Sequence, residues 1–211
     1  MSKSSEYEYK EHRITLASFA QIDQEMGPHE LTPVEYAIAR RVVHTTADFE
    51  FKQLLQFSGE PIMAATVAFQ QGATIITDVS MVAAGIRGVA AKTWKSAIIP
   101  AIKHAPARVL PHQTRSSEGM RQCLQRYPGA IVAVGNAPTA LLSLCAEVAN
   151  KQASPALVIG APVGFINVVE SKQLLQSLSV PYVLVEGRKG GSAVAAAILN
   201  AIMIWTWQQR A

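Results

Sequence analysis

Ala130-Ile131-Val132-Ala133-Val134-Gly135-Asn136-Ala137-Pro138-Thr139 is the stretch that sets the architecture. Ala130 to Val134 is too short for a helix and too continuously apolar for a strand with one wet face, so it reads as a strand buried on both sides. Gly135 to Thr139 is the turn that leaves it: Pro138 removes an N–H, Asn136 offers an amide, and a helical pattern follows from Thr139 to Lys151.

The same unit recurs on either side. Ala73 to Asp78, Ser96 to Ala101, Ala156 to Ile159 and Tyr182 to Val185 are short, aliphatic or β-branched, and bounded by Gly, Pro or Asp. Met81 to Lys92, Ser116 to Tyr127 and Ser171 to Ser179 alternate with them as helices, and a last helix runs from Ser192 to Gln209. Its small residues, Ala195, Ala196, Ala197 and Ala201, allow close approach of a neighbour. Strand and helix in alternation predict an α/β fold: a mainly parallel sheet with helices on both faces, in a single domain over 13–211. Residues 1–12 form a polar leader expected to be flexible.

In such a sheet ligands bind beyond the carboxyl ends of the strands. Here those ends carry Asp78, Gly135 to Thr139, Gly160 to Asn167, and Glu186-Gly187-Arg188-Lys189-Gly190-Gly191-Ser192. Upstream, Ile14 to Met26 has the spacing of a short amphipathic helix carrying Ser18 beside Phe19. Thr32-Pro33-Val34-Glu35 then reads as a capping box, with Leu31 and Tyr36 placed as a hydrophobic staple. The helix it starts leads to Arg41-Val42-Val43-His44-Thr45-Thr46-Ala47-Asp48, and a second helix is expected to end near Ser58-Gly59. His44 falls near a helix carbonyl end, which favours a cationic ring, and a general acid or base is a role suited to imidazole. The plainer reading keeps His44 structural and makes Thr46 or Asp48 a cap of the next helix.

Composition excludes several classes. With 211 residues and 49% apolar side chains the chain has ample core, and Cys123 and Cys145 form no C-x-x-C pair, so reduced thiols and a cytoplasmic location are expected. The apolar run from Ala193 to Trp207 is broken by Asn200 and is short of the ~20 residues that span a bilayer. A net charge of +4 is scattered, without the clustering of a nucleic-acid face, and suits an anionic small molecule. Charged residues at only 16% suggest a further buried surface between subunits.

The remaining motifs admit two readings each. Thr114-Arg115-Ser116 is either a carboxylate or phosphate clamp at a helix start or ordinary capping beside a solvated arginine. The Gly187 to Ser192 loop resembles a phosphate cradle but lacks the P-loop spacing, and neither G-x-G-x-x-G nor G-x-S-x-G occurs. His12, His29, His44, His104 and His112 have no metal-ligand spacing, so no protein-held metal is expected.

Taken in order, Arg41 to Phe49, Asp78-Val-Ser-Met81 with Gly85-Ile86, Thr114-Arg115-Ser116, Gly135 to Leu141, Gly160 to Phe165 with Glu170-Ser-Lys172, and Gly187 to Ser192 resemble the precorrin-8X methylmutase family of cobalamin biosynthesis. The resemblance runs from about Ser18 to Asn200, and six matched segments in sequence make it specific. It implies an isomerase that moves a methyl group from C-11 to C-12 of a corrin-type macrocycle, turning precorrin-8X or its cobalt form into hydrogenobyrinate or cobyrinate.

It implies further that His44 is the general acid of a sigmatropic shift that needs no nucleophile, hydride or protein metal. Ser18, Arg115, Asn136, Thr139, Phe165, Arg188 and Ser192 are then expected at the substrate. Arg41, Thr45, Thr46, Asp48 and Asp78 are expected to support the site. No cofactor is expected, any cobalt being carried by the substrate. The expected partners are that anionic corrinoid and a second copy of the chain in a homodimer, with no nucleic acid and no membrane. A carrier that binds the corrinoid without altering it is the alternative, and a Rossmann-like nucleotide enzyme is a third reading against which the missing phosphate fingerprints weigh.

Overall fold

In a computed structural model, which describes residues 9–210, the strands are β1 Leu55–Phe57, β2 Ile75–Thr77, β3 Ile98–Pro100, β4 Ile131–Val134, β5 Leu157–Gly160 and β6 Tyr182–Val185. They form one sheet in the order β1-β6-β5-β4-β2-β3. Every pairing from β6 to β3 is parallel, and β1 is antiparallel to β6, with Leu55 opposite Val185. The expected mainly parallel α/β architecture is therefore the one observed.

Alternation along the strands builds two cores. Ile75, Ile131, Ala133, Leu157, Ile159, Val183 and Val185 point to one face, where they meet α2 Pro33–Thr46, α4 Pro61–Gln70, α5 Ser80–Lys92 and α9 Ser192–Gln208. Ile76, Val132, Val134, Val158 and Leu184 point to the other, against α6 Arg115–Arg126, α7 Pro138–Ala149 and α8 Val168–Gln176. A strand apolar on both sides is what covering by helices on both faces requires. The helix α9 packs closely on α5: a Cβ on Gly85 would lie 2.7 Å from that of Ala196. Asn200, the polar break in that apolar helix, donates to Gly85 O at 3.0 Å.

The capping box starts α2 as expected: Thr32 accepts from Glu35 N while Glu35 accepts from Thr32 N. Tyr36, however, stacks on His29, with ring centroids 4.5 Å apart, and hydrogen-bonds Asp23. Between α2 and α4 the expectation of a second helix reaching Ser58-Gly59 fails. The helix α3, Phe51–Leu54, is a single turn, and the chain then extends into β1. Three residues are too few to display an alternation, and what makes Leu55 to Phe57 a strand is the free edge of β6, 126 or more residues away in sequence. Of the polar leader, residues 1–8 lie outside the described residues; beyond them Glu11 pairs with Arg41 and His12 caps α1 Arg13–Glu25.

Candidate active site

The parallel strands release their chains at one end of the sheet, and β1, being antiparallel, receives its chain there. The turn from α2 into α3 therefore lies beside the loop that leaves β6. Lys189 of that loop donates to Asp48 at 2.5 Å and to Glu50 at 2.6 Å, fixing the two segments together. This bond, together with the Glu50 N–H, holds the Asp48 carboxyl below its usual range.

His44 is in the last turn of α2, four residues before Asp48, and its ring is exposed. The imidazole meets Phe19 of α1 edge-on, with centroids 5.4 Å apart, and neither ring nitrogen is hydrogen-bonded to a described residue. Thr45 and Thr46 instead donate their hydroxyls to Arg41 O and Val42 O, each at 2.9 Å. Thr46 also accepts from Asp48 N, so these residues finish the helix and do not touch the ring. Ala47, in the left-handed conformation, closes α2 by donating to Val43 O. Arg41 pairs with Glu11, and its guanidinium lies 5.4 Å from the Phe19 centroid. Ser18 donates to Ile14 O, so Phe19 is the residue that brings α1 to His44. A cleft of about 240 Å³ opens behind Phe19, between α1, α2 and α9; Arg41 lines it and His44 does not.

At the centre of the sheet Asp78 is fully buried after β2 and accepts from the N–H groups of Gly135, Asn136 and Ala137 at 3.1, 2.7 and 2.8 Å. Burial raises its pKa and these N–H groups oppose the rise. The helix α7 has no side-chain cap of its own, so the carboxylate of the residue that follows β2 supplies one. That cap fixes Asn136 with its side chain exposed.

Thr139 in the first turn of α7 shares a 2.9 Å hydroxyl contact with Thr114, the cap of α6. Arg115 follows, exposed and without a hydrogen bond or ion pair among the described residues. The structure thus gathers Thr114, Arg115, Asn136 and Thr139 at two adjoining helix starts.

A third group lies on the loops after β5 and β6. Phe165 is 81% exposed, with the Arg188 guanidinium 5.7 Å from its centroid. Gly191 N donates to Ala161 O and Gly164 N to Arg188 O, which stitches the two loops. Ser192 is buried at the first turn of α9. With Met81, Val163 and Ile166 also exposed, this end presents an apolar surface studded with cations.

Phe19 was not expected at the site, and Thr114 and Lys189 were quoted within their motifs without roles of their own. Phe19 stood beside Ser18 and Lys189 beside Arg188, and only tertiary contacts separate their roles. Lys172 was quoted only within a matched segment and given no role, although Val168, Ser171, Lys172 and Leu175 have the spacing of one buried helix face. Among the described residues no three His, Cys, Asp or Glu side chains are grouped to hold a metal. No described helix is long and apolar enough to cross a membrane.

Comparison with known proteins gives this arrangement a context. A family model described as precorrin-8X methylmutase matches residues 13–205. The chain is 46% identical over 213 residues to a cobalt-precorrin-8 methylmutase of Synechocystis, covering 94% of this chain and 98% of that protein. It is 38% identical to a precorrin-8X methylmutase of Pseudomonas aeruginosa, covering 88% and 91%. A solved precorrin-8X methylmutase from Thermus thermophilus superimposes with a TM-score of 0.85 at 40% identity, covering 92% of this chain and 96% of that one.

Proposed function

The chain belongs to the precorrin-8X methylmutase family, and from that premise we propose that it is the isomerase that moves a methyl group from C-11 to C-12 of precorrin-8X or cobalt-precorrin-8. In this reading His44 is the general acid. It protonates the macrocycle near ring C, the bond from C-11 to the methyl group breaks as the bond to C-12 forms, and the proton returns as the rearranged ring system relaxes. Substrate and product have one composition, so the chain needs to bind, orient and move a proton. A positioned acid contributes roughly 100- to 10,000-fold.

The observation that supports this reading is an exposed imidazole with no hydrogen bond among the described residues, at the end of the sheet where the Arg115 and Arg188 guanidiniums are also exposed. A corrinoid with several carboxylates fits such a surface: arginine forks for the acids, Phe165 and its apolar neighbours for the ring. The exposed Met81, Val163, Phe165 and Ile166 would be covered by substrate and by a second copy of the chain, and the protein is proposed to act as a homodimer. A monomer by light scattering at working concentration would contradict that. Any cobalt travels with the substrate, and the proposal assigns no other cofactor.

A corrinoid carrier would offer the same arginines, and it is the proton donor that favours the enzyme. The test is spectral: mixed anaerobically with a molar excess of cobalt-precorrin-8 or precorrin-8X, the protein should convert the whole chromophore. A shift that stops at one equivalent would identify a carrier. The name of the 46% identical relative makes the cobalt form the first to try.

A further inference from the structure

Lys172 lies on α8 with 2% of its surface exposed, and its hydrogen bonds go to main-chain carbonyls, not to the side chains assigned to substrate. Its ammonium donates to Gly187 O at 2.7 Å and to Lys189 O at 2.8 Å. Both carbonyls belong to the loop after β6, and the residue between them is Arg188. The Arg188 carbonyl is itself held, accepting from Gly164 N at 3.4 Å. Three successive carbonyls are thus bound to the protein, while the Arg188 side chain is exposed beside Phe165.

We propose that Lys172 is the positioning residue of this loop: its buried amine draws the Gly187 and Lys189 carbonyls inward and so fixes Arg188, between them, in the outward orientation that meets a carboxylate of the substrate. The role assigned to Arg188 rests on the function proposed above; the role of Lys172 in the loop does not. A buried cation is costly unless its donors are matched. Here carbonyl oxygens do the matching where a carboxylate would be expected, and that is a reason for a lysine on a helix face otherwise formed by Val168, Ser171 and Leu175.

Burial pushes the Lys172 pKa down to about 8. The charged groups on the elements packed against it are Glu147 on α7, Glu170 on its own helix, and Glu186, Arg188 and Lys189 on the loop, and none of their charged atoms bonds its amine.

The experiment compares the wild-type chain with Lys172→Met, Arg188→Ala and the double variant, titrating each with cobalt-precorrin-8 by its chromophore. Lys172→Met should weaken binding about tenfold, and the double variant should bind no more weakly than Arg188→Ala, because a displaced loop has already withdrawn the guanidinium. Amide exchange at Gly164 and Gly191 should be at least about tenfold faster in Lys172→Met, with Gly135, held by Asp78, unchanged. Unchanged affinity, additive losses, or unchanged exchange at Gly164 and Gly191 would each overturn the proposal. Should Lys172→Met not fold, Lys172→Gln decides: its amide reaches at most one of the Gly187 and Lys189 carbonyls, so exchange at Gly164 and Gly191 should still quicken relative to Gly135, and unchanged protection there would overturn the proposal. If the wild-type chain leaves the corrinoid unconverted, the enzyme reading fails while the exchange data still judge Lys172.

Discussion

Lys189 donates to Asp48 at 2.5 Å, across 141 residues of sequence, and so ties the loop after the last strand to the turn just beyond His44. Both partners are partly exposed, so the pair adds little to stability, and its consequence is placement. Lys189→Ala is expected to leave the melting temperature nearly unchanged while lowering turnover roughly tenfold, since small displacements of a catalytic group are costly in rate. Calorimetry and steady-state kinetics on one preparation check both halves.

The same pair sets an acid limit. The Asp48 pKa is lowered in the folded chain, first by the bond from Lys189. Such a group contributes stability above the ordinary carboxylate range and loses it as pH falls through the depressed value. Turnover of the wild type should therefore survive mild acid and fail as Asp48 protonates. Lys189→Ala, which already lacks the bond, should show its lowered turnover at neutral pH and no such acid step in a pH profile of activity.

Asp78 carries a larger structural charge. Its removal in Asp78→Ala leaves the N–H groups of Gly135, Asn136 and Ala137 buried or half-buried without an acceptor. A loss of about 3–5 kcal/mol is expected by denaturant titration, as for the breaking of a buried charged network, with activity lost as the start of α7 moves.

Glycines of the loop after β6 separate strain from collision. At Gly187, φ is +70° and a Cβ would meet nothing within 4 Å; at Gly190, φ is +150° and a Cβ would lie 2.3 Å from Ala161 O. Gly187→Ala should cost about 1 kcal/mol, while Gly190→Ala should cost more and weaken substrate binding, because the backbone must shift to admit the methyl group. Denaturation midpoints and chromophore titration rank the two.

Much of this was legible in the chain. Continuous apolar runs such as Ile131 to Val134 announce strands buried on both faces, and the turns that follow them fall together at the end of the sheet where a candidate site is expected by topology. The helix α4 and the strand β1 were not legible: Leu55 to Phe57 has no pattern of its own, and a partner strand decides its conformation. The capping of α7 by Asp78 and the bonds of Lys189 and Lys172 join residues brought together only by the fold, and no spacing rule encodes them. Thr45 and Thr46 show the converse, since neighbours in sequence to His44 turn their hydroxyls to the preceding helical turn.

Arg115 makes no bond among the described residues that its loss would break. Arg115→Ala should leave stability within about 0.5 kcal/mol and weaken binding of the corrinoid roughly tenfold, as expected for one charge-assisted contact. An unchanged dissociation constant would remove it from the clamp.

The account turns on His44 as proton donor. His44→Ala removes an exposed ring whose one described aromatic contact is Phe19, so the fold should persist and the macrocycle should still bind. In single-turnover mixing with cobalt-precorrin-8, the variant should give the binding shift of the wild type and then convert the bound chromophore roughly 100- to 10,000-fold more slowly. Conversion at near the wild-type rate would contradict the assignment of His44 as the general acid.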